Sequence, residues 1–166
     1  MVEANIETAR LYLRPISRAD RDALLLLDTD SEVRHFFPEG ALTPWHIEQE
    51  IERFISEWAY FKFGMFSVFE KKTHQLIGRG GFAKLNSGEI EMGFLFLKER
   101  WGQGFATEVS IALLEWAKTH IPTDRIVAFA PLNHLASLRV IEKSGMTFFK
   151  QDDYQDIPCA FYEKKM

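Results

Sequence analysis

The chain has 166 residues, enough for one domain and barely enough for two small ones. Its 20 basic and 24 acidic side chains leave a net charge of −4, which argues against the basic face of a general nucleic-acid binder. A single cysteine, Cys159, excludes an intramolecular disulfide and a thiolate zinc cluster, and the five histidines show no HExxH-type spacing. The N-terminal "MVEANIETARLYLRP" lacks the apolar run of a signal peptide, and no stretch approaches membrane-spanning length. The expectation is a protein of a reducing cytoplasm, monomeric or homodimeric, with no metal and neither nucleic acid nor membrane as partner. Cys159 itself reads as a small buried hydrophobe.

In chain order, "ARLYLRP" alternates with Leu11 and Leu13 on one face and ends at Pro15, predicting a first strand. Ser17 to Asp20 has the form of a capping box and predicts a helix carrying Leu24 to Leu27. "DSEVRHFFPEGAL" reads as a loop. Thr43-Pro44 then supplies a capping hydroxyl and a first-turn proline, followed by Ile47, Ile51, Phe54, Ile55 and Trp58 at helical spacing. "FGMFSVFEK" and "QLIGRGGFAKL" predict two strands about a turn at Lys72 to His74, and "GEIEMGFLFL" a third.

A helix is expected from about Phe105 to His120, closed by Pro122, then a strand over "DRIVAFAP". Next come a helix over "HLASLRVIEKSG", with Gly145 as a left-handed cap, and closing strands over "MTFFK" and "PCAFYEKK". The order β-α-α-β-β-β-α-β-α-β-β predicts one mixed α/β (α+β) domain over 1–166, with about six or seven strands and about four helices. The segment from Glu89 to Ala130 is the expected parallel strand–helix–strand crossover.

At the start of the central helix lies "KERWGQGFATE". Glycines at 102 and 104, between a strand and a helix, allow a tight turn and close approach of a ligand to the backbone. The first N–H groups of a helix have no internal partner and carry partial positive charge, so the N–H groups of about Gln103 to Thr107 could converge on a pyrophosphate. The motif is neither a Walker loop nor the G-x-G-x-x-G dinucleotide fingerprint, since position 107 is Thr. Taken alone, a glycine pair after a strand is more often simply a turn.

Three segments taken together carry more. From roughly Glu7 to Phe149 the sequence resembles the GNAT N-acetyltransferase superfamily, and within it the RimJ/RimL-like branch of ribosomal-protein N-terminal acetyltransferases. "ETARLYLRP" resembles that branch's opening "T-E-R-L-x-L-R-P". "EIEMGFLFLKERWGQGFATEV" resembles its acetyl-CoA segment, and "NHLASLRVIEKSGM" its "N-x-x-S-x-x-V-x-E-K-x-G-F" segment. In the wider pattern Q/R-x-x-G-x-G/A, Trp101 takes the first position, Gly104 the glycine and Ala106 the last small residue.

The resemblance implies acetyl-CoA as donor and an amine as acceptor. It implies pyrophosphate contacts from the backbone of Trp101, Gly102, Gln103, Gly104, Phe105, Ala106 and Thr107. It also implies that the strand edge at Phe94, Leu95 and Phe96 receives the pantetheine arm as an added strand. That requires this strand to splay from "RIVAFAP". Asn133 is implied as a further cofactor contact, with an ordinary helix cap as the alternative. Asn133 and Ser137 are four residues apart where the family pattern has three, so the register of Asn133 is open.

Acetyl transfer requires a neutral amine. An α-amine has a pKa of roughly 7.7–8.0 and a lysine or polyamine amine roughly 10.4, so the latter needs a stronger base. Glu91 is the candidate base, on the strand leading to the glycines and on the face shared with Glu89; the alternative is a solvent-facing carboxylate. Ser137 is the candidate to bond the sulfur or protonate the leaving thiolate, its alternative a serine placed for local helix reasons. Its help is expected to be modest, because a thiol has a pKa of roughly 8.5. The family's other acid, a tyrosine further along this helix, is replaced by Val140. Phe36, Phe37 and Trp45 are candidates for the acceptor wall, with core packing as the alternative. The branch points to a peptide or protein N-terminus as acceptor; a polyamine, aminoglycoside or amino-acid-like small molecule and a non-catalytic CoA-binding module stay open.

Overall fold

The computed structural model describes residues 4–166. Among the described residues eight strands form one sheet in the order β1-β2-β3-β4-β5-β6-β8-β7. They are β1 (Ile6–Glu7), β2 (Leu11–Pro15), β3 (Met65–Glu70), β4 (Leu76–Lys84), β5 (Ile90–Phe96), β6 (Arg125–Pro131), β7 (Thr147–Tyr154) and β8 (Ile157–Lys165). The helices are α1 (Arg21–Asp28), α2 (Pro44–Phe61), α3 (Phe105–His120) and α4 (Leu135–Lys143). The expected order holds throughout. The strand beyond the expected count is β1, two residues that pair antiparallel with β2 and are too short to alternate visibly. Among the described residues no helix is long and apolar enough to cross a membrane.

Local chemistry explains the helix starts. Thr43 Oγ1 accepts from the His46 N–H and Pro44 occupies the first turn of α2. Ser17 and Asp20 open a single 3-10 turn rather than α1 directly, because Arg14 also claims Asp20, at 2.6 and 2.9 Å, and Ser67 bonds it at 2.7 Å. The Asp20 carboxylate thereby ties β2, the turn and β3 together. Burial opposes its charge, but the bonds from Arg14, Ser17 and Ser67 outweigh that and hold its pKa below the usual carboxylate range.

Two hydrophobic clusters sandwich the sheet. Ile90, Met92 and Phe96 of β5 meet Val109, Leu113 and Trp116 of α3 in the larger cluster. Leu95, on the opposite face of β5, joins Leu24 and Leu27 of α1 and Ile47, Ile51 and Phe54 of α2 in the smaller. The period-two alternation of β5 thus divides its side chains between the two layers.

The feature that matters for function lies in mid-sheet. β5 and β6 run parallel, joined by α3, but pair only at Ile90↔Ile126 and Glu91↔Val127. Beyond Glu91 they part. β5 stays paired with β4 through Phe96, and β6 with β8 through Pro131. Each strand keeps its outer partner while the inner edges open into a V. The sequence-expected splay is present, with the N-termini of α3 and α4 following the two diverging strands.

Candidate active site

A cleft of about 730 Å3 occupies the V. Its floor is Glu91 to Leu95 of β5 and Phe129 to Pro131 of β6. Its walls come from the loop carrying Phe36 and Phe37, the start of α2 with Trp45, the α4 face with His134 and Ser137, and Tyr154 and Gln155 at the β7–β8 turn.

Glu91 sits where the strands begin to part. Gly93 is the next residue on the same face of β5, and a Cβ there would stand 3.8 Å from Glu91 Oε1, so the carboxylate lies over a position with no side chain. What surface the Glu91 side chain keeps opens into the cleft. Burial pushes its pKa up to about 7. This departs from the solvent-facing alternative. Glu89, on the same face, has a different fate: it pairs with Arg125 at the sheet surface, beside a second carboxylate, Glu163.

His134, Ser137 and Ile141 lie at spacings of three and four on α4, so they share the helix face that lines the cleft. Asn133 is exposed and precedes the capping position, which falls on His134 with no side-chain cap bond. The cap expected of Asn133 is therefore not formed, because the turn at Pro131 shifts the helix start by one residue; the bond from His134 N–H to Pro131 O closes that turn at 2.9 Å.

The open edge of β5 follows from strand alternation. Leu97 N–H donates to Ile77 O across to β4. Residues an even number of positions away, Leu95 and Gly93, also direct their backbone groups to β4. Phe94 and Phe96 direct theirs into the splay. The Phe96 carbonyl is taken by the indole N–H of Trp101 at 2.9 Å. This leaves Phe94 as the residue whose N–H and C=O face an incoming extended ligand.

The glycine loop forms a concave backbone. Gly102 and Gly104 are both left-handed, at φ 72° and 82°, on either side of Gln103, an arrangement that turns successive N–H groups toward one point. The first helical bond of α3 runs from Glu108 N–H to Gly104 O at 3.0 Å. The N–H groups of Gln103 to Thr107 therefore precede the ladder and have no helical acceptor. Trp101 differs from expectation, since its backbone N–H is bonded to Lys98 O at 3.1 Å.

On the acceptor side, Phe36 stacks on His134 with ring centroids 3.8 Å apart and an angle of 9°. Burial, and then the neighbouring His35, lower the His134 pKa, which keeps the stacked ring neutral at pH 7. Phe37 lies at the rim, and Trp45 is more exposed still, at 62%. The loop is anchored by a buried charge cluster, in which Asp28 accepts from Arg34 at 2.9 Å and from Arg79 at 2.9 and 3.3 Å. Arg34 also reaches Gly40 O at 2.5 Å and lies over the Phe37 ring at 4.3 Å. Sequence reasoning missed this cluster, whose members come from α1, the loop and β4.

It also missed Tyr154, which faces the cleft and packs on Phe129 at 4.5 Å. Burial, and then the Glu91 charge, raise its pKa. Cys159 is buried as expected, on the β8 floor of the same cleft.

Residues 10–147 match the acetyltransferase (GNAT) domain family. The chain belongs to the GNAT acetyltransferase family. It is an acyltransferase by that membership. It is 29% identical over 151 residues to YnaD of Bacillus subtilis, described as an uncharacterized N-acetyltransferase, covering 89% of this chain and 86% of that one. Two solved structures share the fold. One, from Salmonella typhimurium, is described as modifying the N-terminal serine of a 50S ribosomal subunit protein; it superposes with a TM-score of 0.81 at 16% identity, over 98% of this chain and 99% of its own. The other is an aminoglycoside acetyltransferase in complex with coenzyme A, with a TM-score of 0.78 at 15% identity, over 93% and 94% of the two chains. The acetyltransferase fold is thus shared with proteins that act on a protein N-terminus and on an antibiotic, so the fold does not select the acceptor.

Proposed function

We propose that this chain, as one domain of the RimJ/RimL-like branch, transfers the acetyl group of acetyl-CoA to a primary α-amine by direct attack, with Glu91 as the base. The observation that carries the reading is the Glu91 carboxyl at the apex of the splay, its pKa pushed up to about 7 by burial. A base is most useful when its pKa lies near the operating pH and close to that of the proton it removes. An α-amine, at roughly 7.7–8.0, is well matched to it; a lysine-type amine at roughly 10.4 is not.

The cleft's charges support a singly charged acceptor. Three carboxylates line it, Glu39, Glu50 and Glu91. Glu50 is paired with Arg53, and Glu39 stands 3.7 Å from Arg34. Among the described residues Glu91 has no ion-pair partner. A polyamine or aminoglycoside, with several ammonium groups, would have to draw on Glu39 and Glu50, which already face Arg34 and Arg53. The aromatic wall of Phe36, Phe37 and Trp45 suits the body of a peptide N-terminus or a similar apolar amine.

In the proposed reaction, Glu91 takes the ammonium proton, directly or through water, and the free amine nitrogen attacks the thioester carbonyl carbon. The Phe94 N–H supports the oxygen as negative charge develops on it. The C–N bond forms and the C–S bond breaks; the second proton that the acylated nitrogen sheds passes through the Ser137 hydroxyl or water to the departing thiolate, so the coenzyme leaves as the thiol, and Glu91 returns its proton to solvent. Gln103 to Thr107 hold the pyrophosphate, and the β5 edge holds the pantetheine arm. The compartment that fits this chemistry and the single buried cysteine is the cytoplasm.

The test is thiol release from acetyl-CoA with peptides of free N-terminus, polyamines and aminoglycosides as acceptors. Turnover with peptides that rises with pH through about 7 supports the reading. Preferential turnover of polyamines or aminoglycosides would replace the acceptor assignment. Binding of CoA without turnover of any acceptor would favour the non-catalytic module.

A further inference from the structure

The strand opening "ETARLYLRP" and the glycine loop are about a hundred residues apart in sequence, yet they meet in space. Glu108, in the first turn of α3, accepts from Thr8 Oγ1 at 2.5 Å, from Arg10 N–H at 3.0 Å and from Arg10 Nε at 2.8 Å. Burial works against its charge, but these bonds prevail and lower its pKa, so it is ionised at neutral pH. Arg10 is thereby fixed at its Nε side. Its Nη1 then donates to Gln103 O at 2.9 Å, and its guanidinium lies over the Phe105 ring at 4.2 Å. A Cβ on Gly104 would stand 3.4 Å from Nη2, so the fork fits directly beneath the loop.

The consequence lies in one peptide plane. A trans peptide points its C=O and N–H in opposite directions. Gln103 sits between two left-handed glycines, which give its flanking peptides unusual rotational freedom. Holding the Gln103 carbonyl down toward Arg10 turns the Gly104 N–H up, into the concavity. We infer that Arg10, locked by Glu108 and Thr8, is a positioning residue that presets the glycine loop for the pyrophosphate of the acyl donor. Its charge is already balanced by Glu108, so its contribution is the orientation of the Gln103–Gly104 peptide rather than a long-range attraction.

This inference rests on the loop binding a pyrophosphate, as proposed above. The test is calorimetric binding of CoA and of pantetheine, which lacks the pyrophosphate, to the wild type, Arg10→Ala and Arg10→Lys. Arg10→Ala is expected to weaken CoA about tenfold, the worth of one charge-assisted hydrogen bond. Pantetheine binding stays at the wild-type level. Arg10→Lys keeps the stem over Phe105 and the charge, but cannot bridge Glu108 and Gln103 at once; it follows Arg10→Ala in direction and keeps the fold if the alanine variant does not. In steady state the KM for acetyl-CoA rises by more than kcat falls. Equal weakening of both ligands, unchanged CoA affinity, or full rescue by lysine would overturn the inference. A wild type that binds pantetheine and CoA equally well would instead overturn the pyrophosphate role of the loop, and this inference with it.

Discussion

Replacing Glu91 by Gln should stabilise the protein above neutral pH while it slows the reaction. Glu91 is held at about 7 in the folded state against an ordinary 4.5, with burial as the cause. The folded state therefore binds this proton more tightly than the unfolded chain does. Below pH 4.5 both states are protonated and the wild type carries no penalty. As pH rises from 4.5 to 7 the unfolded chain ionises first, and stability falls; above 7 the loss is constant. At 1.36 kcal/mol per pKa unit the ceiling is about 3 kcal/mol, and contact with cleft water lowers it to roughly 1–2 kcal/mol. Glutamine keeps the shape and does not titrate. Urea melts of both proteins from pH 4 to 9 should give a stability difference that grows across this window and then stays flat, with the variant more stable. In thiol-release assays the same variant should lose about 10²–10⁴-fold in kcat/KM. Stability curves that stay parallel from pH 4 to 9 would refute the burial argument. A fall in stability without loss of turnover would remove Glu91 from the reaction altogether.

Three further outcomes are expected. Ser137→Ala should lower kcat by less than about tenfold in the thiol-release assay, because a thiolate of pKa roughly 8.5 leaves without much help. Gly104→Ala places a side chain at φ 82°, a left-handed cost of about 1–2 kcal/mol, readable in the urea midpoint and accompanied by a raised KM for acetyl-CoA. Asp28→Asn removes the carboxylate shared by Arg34 and Arg79, leaving the buried Arg34 with only Glu39 at 3.7 Å, and should cost about 3–5 kcal/mol in urea unfolding. Because Arg34 anchors the loop of Phe36 and Phe37, the surviving activity of that variant should show a larger rise in the acceptor KM than in the donor KM.

What the sequence determined by itself is the order of elements and the place of the glycine loop between β5 and α3. These are written locally: a capping threonine before a proline at α2, period-two alternation in β5, and two glycines where a strand meets a helix. β1 escaped notice because two residues cannot display a period. The cap of α4 fell on His134 rather than Asn133 because a turn bond from Pro131, invisible in residue type, sets where that helix begins.

Tertiary structure alone decided how the candidate groups are used. Glu89 and Glu91 look alike along the strand, yet one pairs with Arg125 and the other is desolvated above Gly93, because the sheet splays after Glu91 and not before it. Tyr154 reaches the cleft through the β7–β8 turn, Arg79 supports a loop beginning some fifty residues before it through Asp28, and Arg10 meets Gln103 across the first edge of the sheet. Local propensity reports a residue's own backbone preferences; it carries no record of which distant side chain will remove its water or hold its carbonyl. Those long-range contacts set both the pKa of Glu91 and the shape of the glycine loop.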